Sequence, residues 1–254
     1  MQALVRPPSP TFAQGLTSQC LGAPDYGMAL RQHEAYCEAL QKMGAAVRVL
    51  APDNLPDSCF VEDMAIILGP DRVVVTRSQV RGKEQRSVLE ALPDCMVRIP
   101  IEGPGSLEGG DVLRLAGGWF VGLGARSNRA GFEQFREIVR AQGVDATAVA
   151  LGDLLHLKTG VSAVDEQTVL ALPHFAGTFR QLGYQVVEVQ SEDWHAANVV
   201  SWGRRVLLPA HHQRVRQRLQ DLGFETFEVD LSEFKKQDGG ASCLSLLWSI
   251  QKPL

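Results

Sequence analysis

The 254-residue sequence has no run of basic residues, and its formal net charge is −4. Segments such as "RQHEAYCEALQK" and "QRVRQRLQDL" mix both signs at helical spacing, the pattern of a solvated helix face, so nucleic acid is not an expected partner. No apolar stretch reaches bilayer-spanning length, and "MQALVRPPSP" lacks the apolar core of a leader, so no membrane association is expected. Cysteines are few: Cys20, Cys37, Cys59, Cys95 and Cys243, an odd and scattered set without CxxC. Neither a disulfide framework nor a zinc ribbon fits that set, whereas reduced thiols in a cytoplasm do. A Walker-type phosphate loop is missing. "GLGARSNRAG" misses the GxGxxG pattern and has no acidic residue at the right distance, so no nucleotide cofactor is expected. His33 falls on a helix, while His174, His195, His211 and His212 fall at turns or helix starts without any HExxH-like spacing.

What the chain does have is ordinary globular composition, 45% hydrophobic and 21% charged, enough for one large domain or two small ones. No linker or low-complexity segment divides it. A degenerate repeat shows at the helix exits "LQKMGAAVRVL", "VRAQGVDATAV", "FRQLGYQVVEV" and "LQDLGFETFEV". In each, an amphipathic helix ends at a glycine suited to the left-handed cap and a β-branched strand follows. Upstream lie pairs of short apolar strands joined by turns, as in "DVLRLAGGWFVGL", "AVDEQTVLAL", "NVVSWGRRVLLP" and "AIILGPDRVVV". Each unit reads strand, turn, strand, helix, strand, recurring at roughly 40–50 residues. Residues 61–99 fit with a less regular helix exit, and the first fifty supply a strand, a helix near Tyr26–Met43 and "AVRVL".

About five such units predict an α/β ring of small sheets with outer helices, closed so that few strand edges stay exposed. The alternative is a doubly wound sheet. Tight turns between successive strands favour the ring, because parallel neighbours need a crossover between them. In a ring, polar residues at strand ends and turns converge on the centre.

Four polar clusters sit at the starts of units. "LPDSCFVED" holds Asp57, Glu62 and Asp63, either turn and cap acids or a carboxylate nest for a guanidinium. "GSLEGGDVL" places Glu108 and Asp111 around Gly109-Gly110, a turn or a close backbone approach. "LLHLKTGVS" carries His156, either a core histidine or a general base. "QDGGASCLSLLW" carries Cys243, either a small core hydrophobe or a nucleophile supplied with a histidine by the fold. Arg77, Arg81 and Arg126 lie between elements, as surface charges or as carboxylate anchors.

Together, "GLTSQCLGAPDY", "LPDSCFVED", "VTR…RGKE", "LEGGDVL", "GARSNRAG", "LHLKTG", "HAANVV" and "EVDLSEFKKQDGGASCLSL" run in order across the chain. The combination resembles the dimethylarginine dimethylaminohydrolases of the guanidine-modifying superfamily. That resemblance implies a single catalytic domain over residues 1–254, folded as a five-fold pseudosymmetric ββαβ propeller, the pentein fold, around a central active site. It implies Cys243 as nucleophile, His156 as general acid/base and Glu108 as its acidic partner. Asp57, Glu62 and Asp63 are the implied substrate-binding acids and Arg126 a carboxylate anchor. Leu16 is implied as a loop residue closing over substrate, and Gln237 as the position whose backbone carbonyl faces the ligand amine. Where the family usually shows Thr-Arg-Pro-Gly, a spacer and Arg-Arg, this chain has the shorter "TRSQVRGKE". Arg81 is the match for the second substrate-binding arginine, with Val80 the alternative occupant.

The implied reaction converts methylated arginine, a small-molecule partner, to citrulline and an amine without metal or organic cofactor. Arginine itself is the rival substrate, and a non-catalytic guanidine-binding relative the rival to any enzyme. A homodimer is compatible with the resemblance.

Overall fold

The structure is a computed structural model that describes residues 1–249; residues 250–254 of the expected domain lie outside them. Strand β1 (Gln2–Val5) leads through a long loop to helix α1 (Tyr26–Lys42) and strand β2 (Ala46–Val49). Asp25 starts α1 by accepting a hydrogen bond from the Met28 amide at 2.6 Å, a side-chain N-cap. The second unit comprises β3 (Ala65–Ile67), β4 (Arg72–Val75), α2 (Gln85–Ala91) and β5 (Val97–Pro100). The third comprises β6 (Val112–Leu115), β7 (Gly118–Leu123), α3 (Arg129–Arg140) and β8 (Ala146–Ala150). A one-turn helix α4 (Leu157–Gly160) opens the fourth, followed by β9 (Val161–Ala163), β10 (Thr168–Ala171), α5 (Pro173–Gln181) and β11 (Gln185–Glu188). The fifth comprises β12 (Val200–Trp202), β13 (Arg205–Pro209), α6 (Gln213–Asp221) and β14 (Glu225–Val229). A short α7 (Ser232–Lys235) precedes the last strand, β15 (Ser245–Trp248).

The strands form five separate three-stranded sheets. In each, the inner strand runs antiparallel to the middle one, across a tight turn in four of the five, and the middle strand pairs in parallel with the outer one across a helix. Unit three shows the register: Val112 faces Val121, and Trp119 faces Ala146. This is the pentein propeller that the repeat predicted, and the doubly wound alternative is set aside. The first unit obtains its missing inner strand from the far end of the chain, with β15 antiparallel to β1.

The helix exits show why glycine recurs there. Gly44, Gly143, Gly183 and Gly223 all adopt positive φ, between 79° and 90°, the left-handed cap that a Cβ would penalise. α2 ends instead at Leu92 in extended backbone, the irregular exit anticipated for residues 61–99. Burial is shared among five apolar clusters, and one example shows the logic. Phe132, Phe135 and Val139 recur at helical spacing on α3 and pack on Trp119 and Val121 of β7, with Trp119 and Phe135 edge to face at 5.5 Å between centroids. Among the described residues no helix is long and apolar enough to cross a membrane.

Candidate active site

A short helical turn precedes every inner strand except that of the fourth unit, where α4 takes its place. These turns are Val61–Met64, Gly109–Asp111, Leu157–Gly160, Ser191–Ala197 and Ser242–Leu244. They carry or adjoin Glu62 and Asp63, Glu108, His156, Asn198 and Cys243. Residues at equivalent positions of a closed ring must meet near its axis, which is how a 48-residue separation becomes a 2.8 Å hydrogen bond between His156 Nε2 and Glu108 Oε2.

The glycine pair is there for close approach. A Cβ on Gly109 would lie 2.0 Å from the Glu62 carbonyl oxygen, and one on Gly110 would lie 2.9 Å from the His156 ring and 2.8 Å from Asp63 Oδ1. The Gly110 amide donates to that same Asp63 oxygen at 2.9 Å. Asp111 fixes the histidine turn by accepting from the Leu157 amide at 3.0 Å.

One pocket is lined by Leu16, Asp57, Asp63, Arg81, Arg126, His156, Gln237 and Cys243, together with Phe60, Leu155, Asp238 and Gly239. Eight of the ten residues expected from sequence therefore meet there. Glu108 stands directly behind, fully buried, with its carboxylate on His156. Val80 is exposed, so Arg81 is the arginine that enters. The Leu16 amide donates to both oxygens of Asp57, at 3.2 and 3.3 Å. Its loop is tied down by the Ser18 amide and hydroxyl on the Asp238 carboxylate, at 2.6 and 2.8 Å.

Two buried polar atoms of pocket-lining residues have no hydrogen-bond partner, Arg126 Nη1 and Gln237 Oε1, although Arg126 Nη1 forms an ion pair with Glu108 Oε1 at 3.6 Å. A Cβ on Gly15 would lie 2.6 Å from Asp57 Oδ1 and 3.0 Å from Gln237 Oε1. Two acceptor oxygens thus converge on one point, a seat for an ammonium donor, and glycine at position 15 keeps it open. For Gln237 the convergent group is the side-chain oxygen, where the resemblance implied the backbone carbonyl.

Glu62 departs from its expected placement. Its carboxylate oxygens are taken by Lys158 Nζ at 2.7 Å and Ser242 Oγ at 2.7 Å, and it lines a second, far larger cavity of about 1010 Å³. Asp63, its neighbour, faces the pocket because the helical turn sends successive side chains in different directions. Ser242 and Cys243 are parted in the same way.

Charge explains the state of the reactive groups. Burial opposes a charge on His156, but Asp63, Asp111 and Glu108 outweigh it and raise the pKa to about 9. Burial, followed by the negative charges of Glu62 and Asp63, pushes the Cys243 thiol up to about 12. For Asp63, burial is overcome by His156 and Arg81, which hold it below the ordinary carboxylate value. Burial raises Asp57 despite Arg81 and the Leu16 amide. Near neutrality the site without ligand is therefore a neutral thiol beside an imidazolium.

Sequence reasoning passed over several contributors. Ser78 donates to Glu108 Oε1 and accepts from the Arg81 amide at 3.0 Å; its only signal was a hydroxyl in "TRSQ". Asn198 clamps the cysteine turn, accepting from the Ser242 amide at 2.7 Å and donating to the Lys158 carbonyl at 2.9 Å. His195 donates to the Gly239 carbonyl at 2.9 Å, where burial keeps it neutral with a pKa near 4. Asp63, Glu108 and His156 hold ligand-type atoms within 4.8 Å of one another, a set that suits any compact cation. Arg81 supplies the positive charge there, paired with Asp63.

No family model matches the chain. A dimethylarginine dimethylaminohydrolase of Pseudomonas aeruginosa is 35% identical over 250 residues, 96% of this chain and 97% of that protein. One of Streptomyces coelicolor is 37% identical over 251 residues, 96% of each. The solved structure of the Pseudomonas aeruginosa enzyme, a cysteine-to-serine mutant complexed with citrulline, superposes with a TM-score of 0.92 at 34% identity, covering 96% of this chain and 98% of that one. With this identity over nearly its whole length, and with the five-sheet ring to match, the chain belongs to the dimethylarginine dimethylaminohydrolase family.

Proposed function

We infer that this chain hydrolyses Nω-methylated arginines to L-citrulline and dimethylamine or methylamine, acting as one catalytic domain over residues 1–254 in the cytoplasm. The observation that carries the reading is the convergence, in one pocket, of Cys243, a His156 held by Glu108, and the carboxylates of Asp57 and Asp63.

A guanidinium carbon is a poor electrophile because its charge is spread over three nitrogens. Positioning and fixed charge must supply what the carbon lacks. Asp63, with Glu108 beside it, holds the planar cation by charge-assisted hydrogen bonds. Asp57 and Gln237 Oε1 take the α-ammonium, and the Arg126 guanidinium takes the carboxylate. Cys243 then gives its proton to solvent as its sulfur bonds to the guanidinium carbon. As the bond from that carbon to the methylated nitrogen breaks, His156 gives its proton to the departing amine. An S-alkylthiouronium remains. His156, now neutral, takes a proton from water as the water oxygen bonds to the same carbon. The carbon–sulfur bond breaks, the hydroxyl proton of the adduct passes to the departing sulfur, and citrulline leaves with the resting thiol restored. Every atom of the products comes from methylarginine and one water, so the chain's own residues suffice for the chemistry.

The test is mass spectrometry of protein quenched by acid during turnover with asymmetric dimethylarginine. The expected result is a thiouronium adduct on the Cys243 peptide, with dimethylamine released. Ammonia from arginine, with no amine from dimethylarginine, would transfer the chain to deiminase chemistry.

A further inference from the structure

Arg81 has a second property that a carboxylate anchor does not need. Its guanidinium pairs through Nη2 with Asp63 Oδ2, lies 3.9 Å from Glu108 Oε2, and donates through Nη1 to the Asp57 carbonyl at 3.3 Å. The side chain is 7% exposed. These are the groups that would hold a ligand's guanidinium, so the chain's own arginine sits in the seat of the substrate's head. The oxygens of Asp63 and Glu108 are all engaged already, by Arg81, the Gly110 amide, His156 and Ser78. Ser78 fixes the arrangement from behind, bonded on one side to Glu108 and on the other to the Arg81 amide.

A ligand therefore cannot add to this pocket; it has to exchange with Arg81. The exchange has two halves. The incoming guanidinium replaces Arg81 on Asp63 and Glu108, charge for charge. The displaced Arg81 then carries an unpaired charge in a largely buried site, which is costly unless an anion meets it. A free α-carboxylate at the far end of the ligand supplies that anion. A guanidine without one strands the arginine.

We propose that Arg81 is a specificity-determining residue that occupies the guanidinium seat until a ligand's carboxylate draws it out, so that the site admits amino-acid guanidines and rejects guanidines lacking a carboxylate. The idea rests on the function proposed above and extends it from the head of the substrate to its tail. It also gives a role to the shortened "TRSQVRGKE" segment, whose length lets Arg81 reach the acids directly.

The experiment compares wild type with Arg81→Gln, and with Arg81→Lys as a variant that keeps the charge but not the planar fork. Two constants are read: KM for asymmetric dimethylarginine, and the dissociation constant of methylguanidine. The second is measured by protection of Cys243 from iodoacetamide and so needs no turnover. The constants are expected to cross in Arg81→Gln. KM rises about 10- to 100-fold with the lost charged contact, whereas methylguanidine binds about tenfold tighter because its competitor is gone. Arg81→Lys is expected to keep part of the discrimination. A merely structural role would weaken both ligands together, and that result, or an unchanged methylguanidine constant, overturns the proposal. Failure of the wild type to release amine from any methylarginine would instead sink the proposed function, while the methylguanidine arm still reads the occupancy of the seat.

Discussion

On one side of the Glu62–Lys158 pair lies a cavity of about 1010 Å³, and on the other a pocket with about 30 Å³ free. The wide hollow is lined by inner-strand residues such as Ile66, Val112, Val200 and Leu246, with serines between them. The narrow one gathers Asp57, Asp63, Arg81, Arg126, His156 and Cys243. Two of the turns contribute to both, their successive residues parting to opposite sides: Glu62 and Asp63, Ser242 and Cys243. Reactivity follows the density of charge in a poorly hydrated space, where each interaction is stronger than in water, and not the volume of the hollow. The pair between them serves as a floor.

Four substitutions probe that contrast. The largest effect is expected on the narrow side, where Cys243→Ser should lower kcat by about 10⁴-fold or more. Its thermal midpoint should stay close to that of the wild type; retained turnover would remove the sulfur from the mechanism. At the floor, Lys158→Met leaves the Glu62 carboxylate with only Ser242, and breaking a buried pair typically costs about 3–5 kcal/mol. Ser242 places this case at the lower end, and a drop of about 10 °C in the midpoint is expected by calorimetry. Adding Glu62→Gln should recover most of it, because the uncompensated charge is then gone. On the wide side, Arg114 stacks over Trp119 at 4.9 Å from the ring centroid. Arg114→Ala should leave kcat/KM within about twofold, since a partly exposed cation–π contact contributes roughly 0.5–1 kcal/mol to stability and none to catalysis. A larger loss of activity would make the wide hollow part of the site.

The repeat was legible because its signals are local. A glycine at a helix exit and two strands across a tight turn need only their neighbours; three of the five units show both signals, and the first and second show one each. The inner strand of the first unit was not legible in this way, because β15 lies over 240 residues from β1 and no local pattern records their pairing. The site shows the same division. Cys243, His156, Glu108, Asp63 and Arg126 were marked by motifs, and the ring brought them together. Glu62 could not be told from Asp63 by sequence, since which of two adjacent acids faces the pocket depends on one turn of backbone. Ser78, Asn198 and Asp238 are ordinary polar loop residues. Their importance comes from Glu108, Ser242 and the Leu16 loop, which other segments set beside them.

The pairing of β15 with β1 has one more consequence, and it concerns folding kinetics. Four sheets can form from segments of about fifty residues, whereas the fifth must bring together strands separated by nearly the whole described chain. Loop-closure entropy makes that contact among the slowest to form. The turn carrying Cys243 leads directly into β15, so the nucleophile is delivered to His156 by the step that seals the ring. A folding intermediate with four formed sheets would bury most of its apolar surface and still have its thiol apart from the histidine. Pairing of the sulfur with His156 is thereby reserved for chains that have closed the ring.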